Sequence, residues 1–128
     1  MTMEAQPSKA MLWAGWILSL IPSLMLLSGS LFAALQMPMV RDGMGKYGIS
    51  PSMLPVMAAT ELLCSVLYLI PWTAPIGAIL MTAYMGGAVI THLRAGESQW
   101  VVPVVFGVIV WAGLLLRRPG LRREMLGW

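Results

Sequence analysis

Apolar residues lie in four long runs along this chain, over 11–37, 51–70, 72–93 and 100–116, rather than alternating with polar ones. A helix needs about 20 predominantly apolar residues to cross the hydrocarbon core, so each run is long enough, or nearly so, to span a bilayer. Transmembrane β-strands would read as shorter segments alternating polar with apolar, a pattern not found here. The predicted fold class is all-α: an integral membrane bundle of four transmembrane helices, forming a single domain over 1–128 with a basic C-terminal tail at 117–128.

The breaks between the runs carry the turn chemistry. Pro38 ends the first run, and Arg41-Asp42-Gly43-Met44-Gly45-Lys46-Tyr47-Gly48 reads as a Gly-rich loop whose charges belong in water or among headgroups. Ser50-Pro51 reads as a helix start, with a hydroxyl to cap free N–H groups and a proline for the first turn. The link Pro71-Trp72-Thr73-Ala74-Pro75 is so short that the second and third helices must be antiparallel neighbours, with Trp72 at the interface. Residues 94–99 form another polar turn. Pro22 lies inside the first helix, where it removes one backbone hydrogen bond; a kink is expected, with Ser19 or a neighbouring helix satisfying the freed carbonyl. This first run is too long for the apolar region of a signal peptide, and 35–39 makes no convincing cleavage site, so it is read as an uncleaved helix.

Composition agrees with a chain made of membrane spans and short loops: 59% hydrophobic residues, 10% charged, and a mean hydropathy of +0.80. The formal net charge of +3 is better explained by topology and attraction to anionic headgroups than by nucleic acid, which is not an expected partner. Lys9 and the four arginines of the tail fall on one side of a four-span chain, and Arg41, Lys46 and Arg94 on the other. The positive-inside bias then places both termini in the cytoplasm.

Against this background Glu61 stands out. It occupies the middle of the otherwise uncharged run 51–70, which puts an ionisable carboxyl near membrane mid-depth, a costly and usually functional placement. Glu61, Cys64, Ser65 and Tyr68 share one helical face and form a polar stripe that should face the bundle interior. Folding the second and third helices back on the Pro71 turn, at a rise of about 1.5 Å per residue, sets Glu61 opposite 82–84. Tyr84, Ala88 and His92 recur at i, i+4 and i+8 on the third helix, so a phenol can meet the carboxyl at mid-depth while the imidazole lies nearer the non-cytoplasmic mouth. Glu61, Tyr84 and His92 thus outline a candidate pocket or proton path, with Ser65, Tyr68 and Arg94 in support. The competing reading makes Glu61 interhelical glue, a carboxyl hydrogen-bonded to Tyr84 or a backbone carbonyl and worth only about 0.6 kcal/mol.

Other residues carry weaker chemistry. His92 is the only histidine and has no second ligand at a recognisable spacing, so neither metal nor haem is expected. The single cysteine, Cys64, reads as an apolar packing residue. Ala74, Ala78, Thr82 and Gly86 make one small-residue stripe and Ala83, Gly87 and Thr91 another, either of which lets helices approach within the bundle or between protomers of a homo-oligomer. The 12 methionines are adaptable filler, or the lining of a permissive pocket for a lipid-like ligand. No phosphate loop, metal cluster or nucleophile-base pair supports an enzyme acting alone.

The run Glu61-Leu62-Leu63-Cys64, with Leu67-Tyr68-Leu69-Ile70-Pro71-Trp72-Thr73-Ala74, Thr82-Ala83-Tyr84-Met85-Gly86-Gly87-Ala88 and Thr91-His92-Leu93-Arg94, resembles the DoxX-like small membrane proteins of bacteria. The resemblance is close over the second and third helices and extends to the four-helix layout. It marks Glu61, Tyr84, Gly86, Gly87, His92 and Arg94 as family-pattern positions and implies a multi-pass protein of the bacterial inner membrane. Some relatives are associated with quinone-linked sulfur oxidation or with membrane oxidoreductase complexes. The resemblance therefore adds a quinone-like ligand, or a partner complex in the membrane, to the expectations. One departure is visible: members commonly carry a lysine soon after a Ser-Gly pair in the first helix, and here Ser28-Gly29-Ser30-Leu31 leads to Phe32. An alternative function is a proton-coupled exporter of the small four-helix type; in those transporters, however, the essential carboxyl lies in the first helix, which carries none here.

Overall fold

The computed structural model describes residues 8–127, and within them it places six α-helices and two short 3₁₀ turns. Met1 to Pro7, and Trp128 at the end of the expected basic tail, lie outside the described residues. The helices are α1 (Lys9–Ala34), α2 (Pro38–Gly45), α3 (Leu54–Leu69), α4 (Ala74–Arg94), α5 (Val101–Arg117) and α6 (Pro119–Leu126), with the 3₁₀ turns Pro51–Met53 and Ser98–Trp100 leading into α3 and α5. Counting those turns, four segments are long and apolar enough to cross a membrane: Lys9–Ala34, Pro51–Leu69, Ala74–Arg94 and Ser98–Arg117. Each packs on two neighbours, α1 and α4 both lying against α3 and α5. The fold is the expected all-α membrane bundle.

The outward faces carry Leu24, Leu63, Ile76, Ile79 and Val108, all well exposed. In lipid such residues are at home, since hydrocarbon solvates them as well as a protein interior does. What holds the helices together is close packing of small residues. Gly15 and Gly113 pass each other at the α1–α5 crossing: a Cβ on Gly15 would lie 2.7 Å from the Arg117 backbone N, and one on Gly113 2.8 Å from Ser19 Oγ. On α4, a Cβ on Gly77 would come within 2.3 Å of the Tyr68 backbone N, so α3 and α4 are nearly in backbone contact beside their turn. The main core between the helices consists of Leu26, Cys64, Tyr68, Ala74, Ala78, Met81, Met85, Val110 and Leu114. Cys64 is buried there as a free thiol.

Several local expectations are corrected. The first span ends at Ala34 rather than Met37, and a turn with Gln36 at φ 50° separates it from α2. Much of the stretch expected to be a Gly-rich loop is helical, because Pro38 is preset for a first turn and Val40 and Met44, four apart, lay one apolar face on Ala33, Leu54 and Ala58. Ser50 does not cap α3; its hydroxyl pairs with that of Ser52 at 2.8 Å. The helix α1 runs through Pro22, and Ser19 donates to Gly15 O at 2.7 Å instead of serving the carbonyl that the proline frees. The tail is not a simple solvated strand of charge either. Arg117 is the last residue of α5 and is 6% exposed, while 119–126 form a helix that returns Leu121 to the core.

Candidate functional site

The polar stripe of α3 faces inward, with Glu61, Cys64, Ser65 and Tyr68 all buried. Its members do different things. Ser65 Oγ donates to the backbone oxygen of Glu61 at 2.8 Å, one turn back on its own helix, so it is not directed at the carboxyl. Tyr68 is turned away from Glu61: its hydroxyl lies 2.7 Å from Val110 O and 3.1 Å from Ser19 Oγ. Neither supports the carboxyl in the way the shared face suggests.

Tyr84 does. Its hydroxyl donates to Glu61 Oε1 across the α3–α4 interface, as the depth register about the Pro71 turn predicts. The other carboxyl oxygen, Oε2, is buried without a hydrogen-bond partner among the described residues. It abuts α1 at Gly29, where a Cβ would lie only 2.8 Å away. Gly29 is therefore part of the site, and sequence reasoning passed over it as one of several small residues; its signal is geometric, an absent side chain facing a carboxyl two helices away in sequence. Nearby, Ser30 Oγ donates to Ala58 O at 2.7 Å and joins α1 to α3 just above the pair.

His92 lies two turns along α4 from Tyr84, at the end where α2 and the 94–99 turn meet the bundle. Its Nδ1 is 2.9 Å from Glu97 Oε2, and the hydroxyl of Tyr47 donates to the same oxygen at 2.8 Å. The rings of Tyr47 and His92 meet edge to face at 5.4 Å. Since a carboxylate only accepts, the network puts a proton on Nδ1 and leaves Nε2 as the other ring nitrogen, an acceptor when the ring is neutral. The hydrogen bonds from His92 and Tyr47 hold the Glu97 carboxyl below the usual carboxylate range, and the bond to Glu97 raises the Tyr47 phenol. Tyr47 and Glu97 were not singled out from the sequence, because both belong to segments between the spans and only the folded chain brings them to His92.

A cavity of about 540 Å³ connects these two groups, lined on α4 by Tyr84, Gly87, Ala88 and His92 and opposite by Met44, Met53 and Met57. The i, i+4, i+8 stripe of α4 is thus one wall of a single apolar cleft with polar groups at its ends. This volume lies in the range of small-molecule sites, about 300 to 1,000 Å³. Glu61 does not line it and sits behind Tyr84. Arg94 borders an adjoining cavity of about 380 Å³ with Lys46 and Tyr47. The described residues contain no group of three or more His, Cys, Asp or Glu side chains able to hold a metal ion.

At the opposite end Arg117 makes a second buried polar centre. Its guanidinium lies over the rings of Trp16 and Tyr68, 4.5 and 4.6 Å from their centroids, and donates to Tyr68 O at 2.6 Å. Arg118 beside it donates to Pro71 O. These arginines tie α5 to the α3–α4 turn.

No curated protein and no solved structure matches the chain. The family model for the DoxX-like family matches residues 17–113, a stretch that includes Gly29, Glu61, Tyr84, His92, Arg94 and Glu97 and ends before Arg117. With that match over most of its length and four membrane-spanning segments, this chain belongs to the DoxX-like family of membrane proteins.

Proposed function

We propose that the protein binds a lipophilic ligand, quinone-like or lipid-like, in the cleft between α4 and the segment that runs from α2 to the start of α3, and that Glu61, Tyr84 and His92 govern its binding. The observation that supports this is the apolar cavity running from Tyr84 to His92 with hydrogen-bonding groups at both ends. Such a site buries the body of a ligand among Met and Ala side chains and glycine backbone and orients it through a few polar contacts. Tyr84 meets the deep end of the ligand. Glu61 accepts the Tyr84 proton bond from behind, fixing the hydroxyl's direction and offering a carboxylate to which a proton could pass through that hydroxyl. His92 serves the mouth, where its Nδ1 bond to Glu97 fixes the ring. Nothing in the geometry favours an exporter over this reading.

The test is extraction and mass spectrometry of lipids and quinones carried by the purified protein, with an absorption spectrum. Gly87→Phe fills the cleft, and since a Cβ at Gly87 meets nothing within 4 Å it should not disturb the bundle. The parent should carry a near-stoichiometric lipophile that Gly87→Phe lacks. Equal content in the two proteins would refute the reading.

The orientation with both termini in the cytoplasm belongs to the same proposal, and it puts the mouth at His92 on the non-cytoplasmic side. Ser98→Cys should react with an impermeant thiol reagent in intact cells and Ser8→Cys should not; the reverse result would invert the topology.

A further inference from the structure

A second cavity adjoins the cleft near His92. This neighbour of about 380 Å³ shares Lys46, Tyr47, Ile49, Met53 and Thr91 with it, so the two lie side by side along the same residues. Away from the shared residues the inner cavity is walled mainly by methionine, alanine and glycine, with Tyr84 and His92 on α4; Lys46 stands where the two cavities meet, and Arg94 lines the outer one alone. No ion pair is seen at either cation among the described residues, although the charge of Lys46 lies near enough to Glu97 to add to the lowering of that carboxyl. Glu97 is engaged by His92 and Tyr47 and lines neither cavity. Arg94 is the last residue of the spanning helix α4 and Lys46 follows directly on α2, so both lie at headgroup depth rather than in hydrocarbon.

From this shared lining and this charge we infer that the occupant is an anionic phospholipid of the surrounding bilayer, with its phosphate between Lys46 and Arg94 and one acyl chain running along α4 to Tyr84. The inference rests on the cleft being a ligand site and adds the sign of the ligand's charge and the direction in which it lies. An apolar chain needs no hydrogen-bond partner at the deep end, where the bond from Tyr84 to Glu61 holds in place the side chain that the acyl chain meets. A phosphate at the mouth gains two cations that water and headgroups otherwise solvate, each worth enough near a membrane surface to shift affinity several-fold. A zwitterionic lipid offers the same chain and the same phosphate, but its ammonium group cancels much of the attraction to the two cations.

The experiment titrates the purified, delipidated full chain in neutral detergent with phosphatidylglycerol or phosphatidylcholine bearing identical oleoyl chains, and counts bound lipid by native mass spectrometry. Phosphatidylglycerol should bind on the order of tenfold more tightly. The double variant Lys46→Gln, Arg94→Gln should keep phosphatidylcholine binding and lose the preference. Gly87→Phe should lose both lipids. Equal binding of the two lipids, abolished by Gly87→Phe, would overturn the anionic head and leave the cleft as a ligand site. Binding of both lipids unaffected by Gly87→Phe would overturn the cleft itself, and with it this inference. A preference that survives the double variant would place the anion elsewhere and equally refute it. Inorganic phosphate added at millimolar concentration should not compete, because without a chain it gains only the exposed cations; full competition would make the mouth a phosphate site instead.

Discussion

Tyr68 and Tyr84 stand on facing helices and both donate a hydroxyl inside the bundle, yet their surroundings differ in kind. Tyr68 is fully enclosed, its hydroxyl bonded to Ser19 and Val110 and its ring covered by the Arg117 guanidinium. Around it Gly15 and Gly113 bring α1 and α5, and Gly77 brings α4 and α3, almost to backbone contact. Tyr84 has one partner, the Glu61 carboxyl, and its other side borders empty space. The glycines near it, Gly86 and Gly87, touch nothing that a Cβ would meet; Gly87 opens the cleft, and Gly86 opens a groove of about 550 Å³ on the side facing α5. Along α4, glycine therefore closes the bundle at Gly77 and opens it at Gly86 and Gly87. Stability resides around Tyr68, and room for a ligand around Tyr84.

The largest expected effect sharpens that division. Gly77→Ala drives a Cβ into the Tyr68 backbone and should cost about 3 kcal/mol of bundle stability, the upper part of the usual overpacking range, whereas Gly87→Ala should be within about 0.5 kcal/mol of the parent. Unfolding in mixed detergent micelles measures both, and comparable losses would erase the contrast.

Removing each phenol's hydroxyl should separate the regions further. Tyr68→Phe removes the hydroxyl's bond to the Val110 carbonyl and should cost about 1 kcal/mol without changing the lipid or quinone content of purified protein. Tyr84→Phe leaves the Glu61 carboxyl without its partner and should alter ligand binding by tenfold or so, by the ordinary worth of a lost charge-assisted bond. If Tyr68→Phe shifts ligand binding as much, the two ends are coupled and the comparison fails.

Glu61 decides between site and glue. Glu61→Gln keeps shape and hydrogen bonding but cannot titrate, so expression and thermal stability should survive while any pH dependence of ligand binding disappears. Glu61→Leu should cost on the order of 1 kcal/mol. Ligand binding that stays pH-dependent in the amide variant would reduce Glu61 to a structural residue.

The smallest effect concerns the mouth. Glu97 has its carboxyl held below the ordinary range by His92 and Tyr47, so the stabilisation it brings to the 94–99 turn is complete above the unfolded carboxylate pKa, about 4.3, and is lost as pH falls through the lower folded value. Hydrogen exchange of amides 95–99 should quicken there in the parent. In Glu97→Gln it should be insensitive to pH over that window once the intrinsic exchange rate is divided out, while amides near Tyr68 remain protected in both proteins.

The spans were legible because membrane helices declare themselves by hydropathy alone, and the Glu61–Tyr84 pairing because a short proline turn fixes depth on both sides of it. Burial of Arg117 was not. It reads as one of four tail arginines, and only the placement of Trp16 and Tyr68 on other helices makes it a core residue. Tyr68 and Ser65 share Glu61's face but not its neighbourhood, since a face tells which way a side chain points and not how far along the helix its partners lie. The helical state of 38–45 was hidden for a related reason: its stability comes from Val40 and Met44 resting on other helices, while its own glycines argue for a loop.

The contact between Gly29 and Glu61 Oε2 has a genetic consequence. A methyl group at 29 and a full-length carboxyl at 61 compete for one volume, so a change at either position alters what the other tolerates. Gly29→Ala would displace the carboxyl from Tyr84 without touching either residue, and Glu61→Asp, one methylene shorter, would relieve the crowding. The two substitutions should be epistatic, with the double change milder than the first alone. An inherited glycine at 29 thereby records, on a different helix, the presence of the acid at 61.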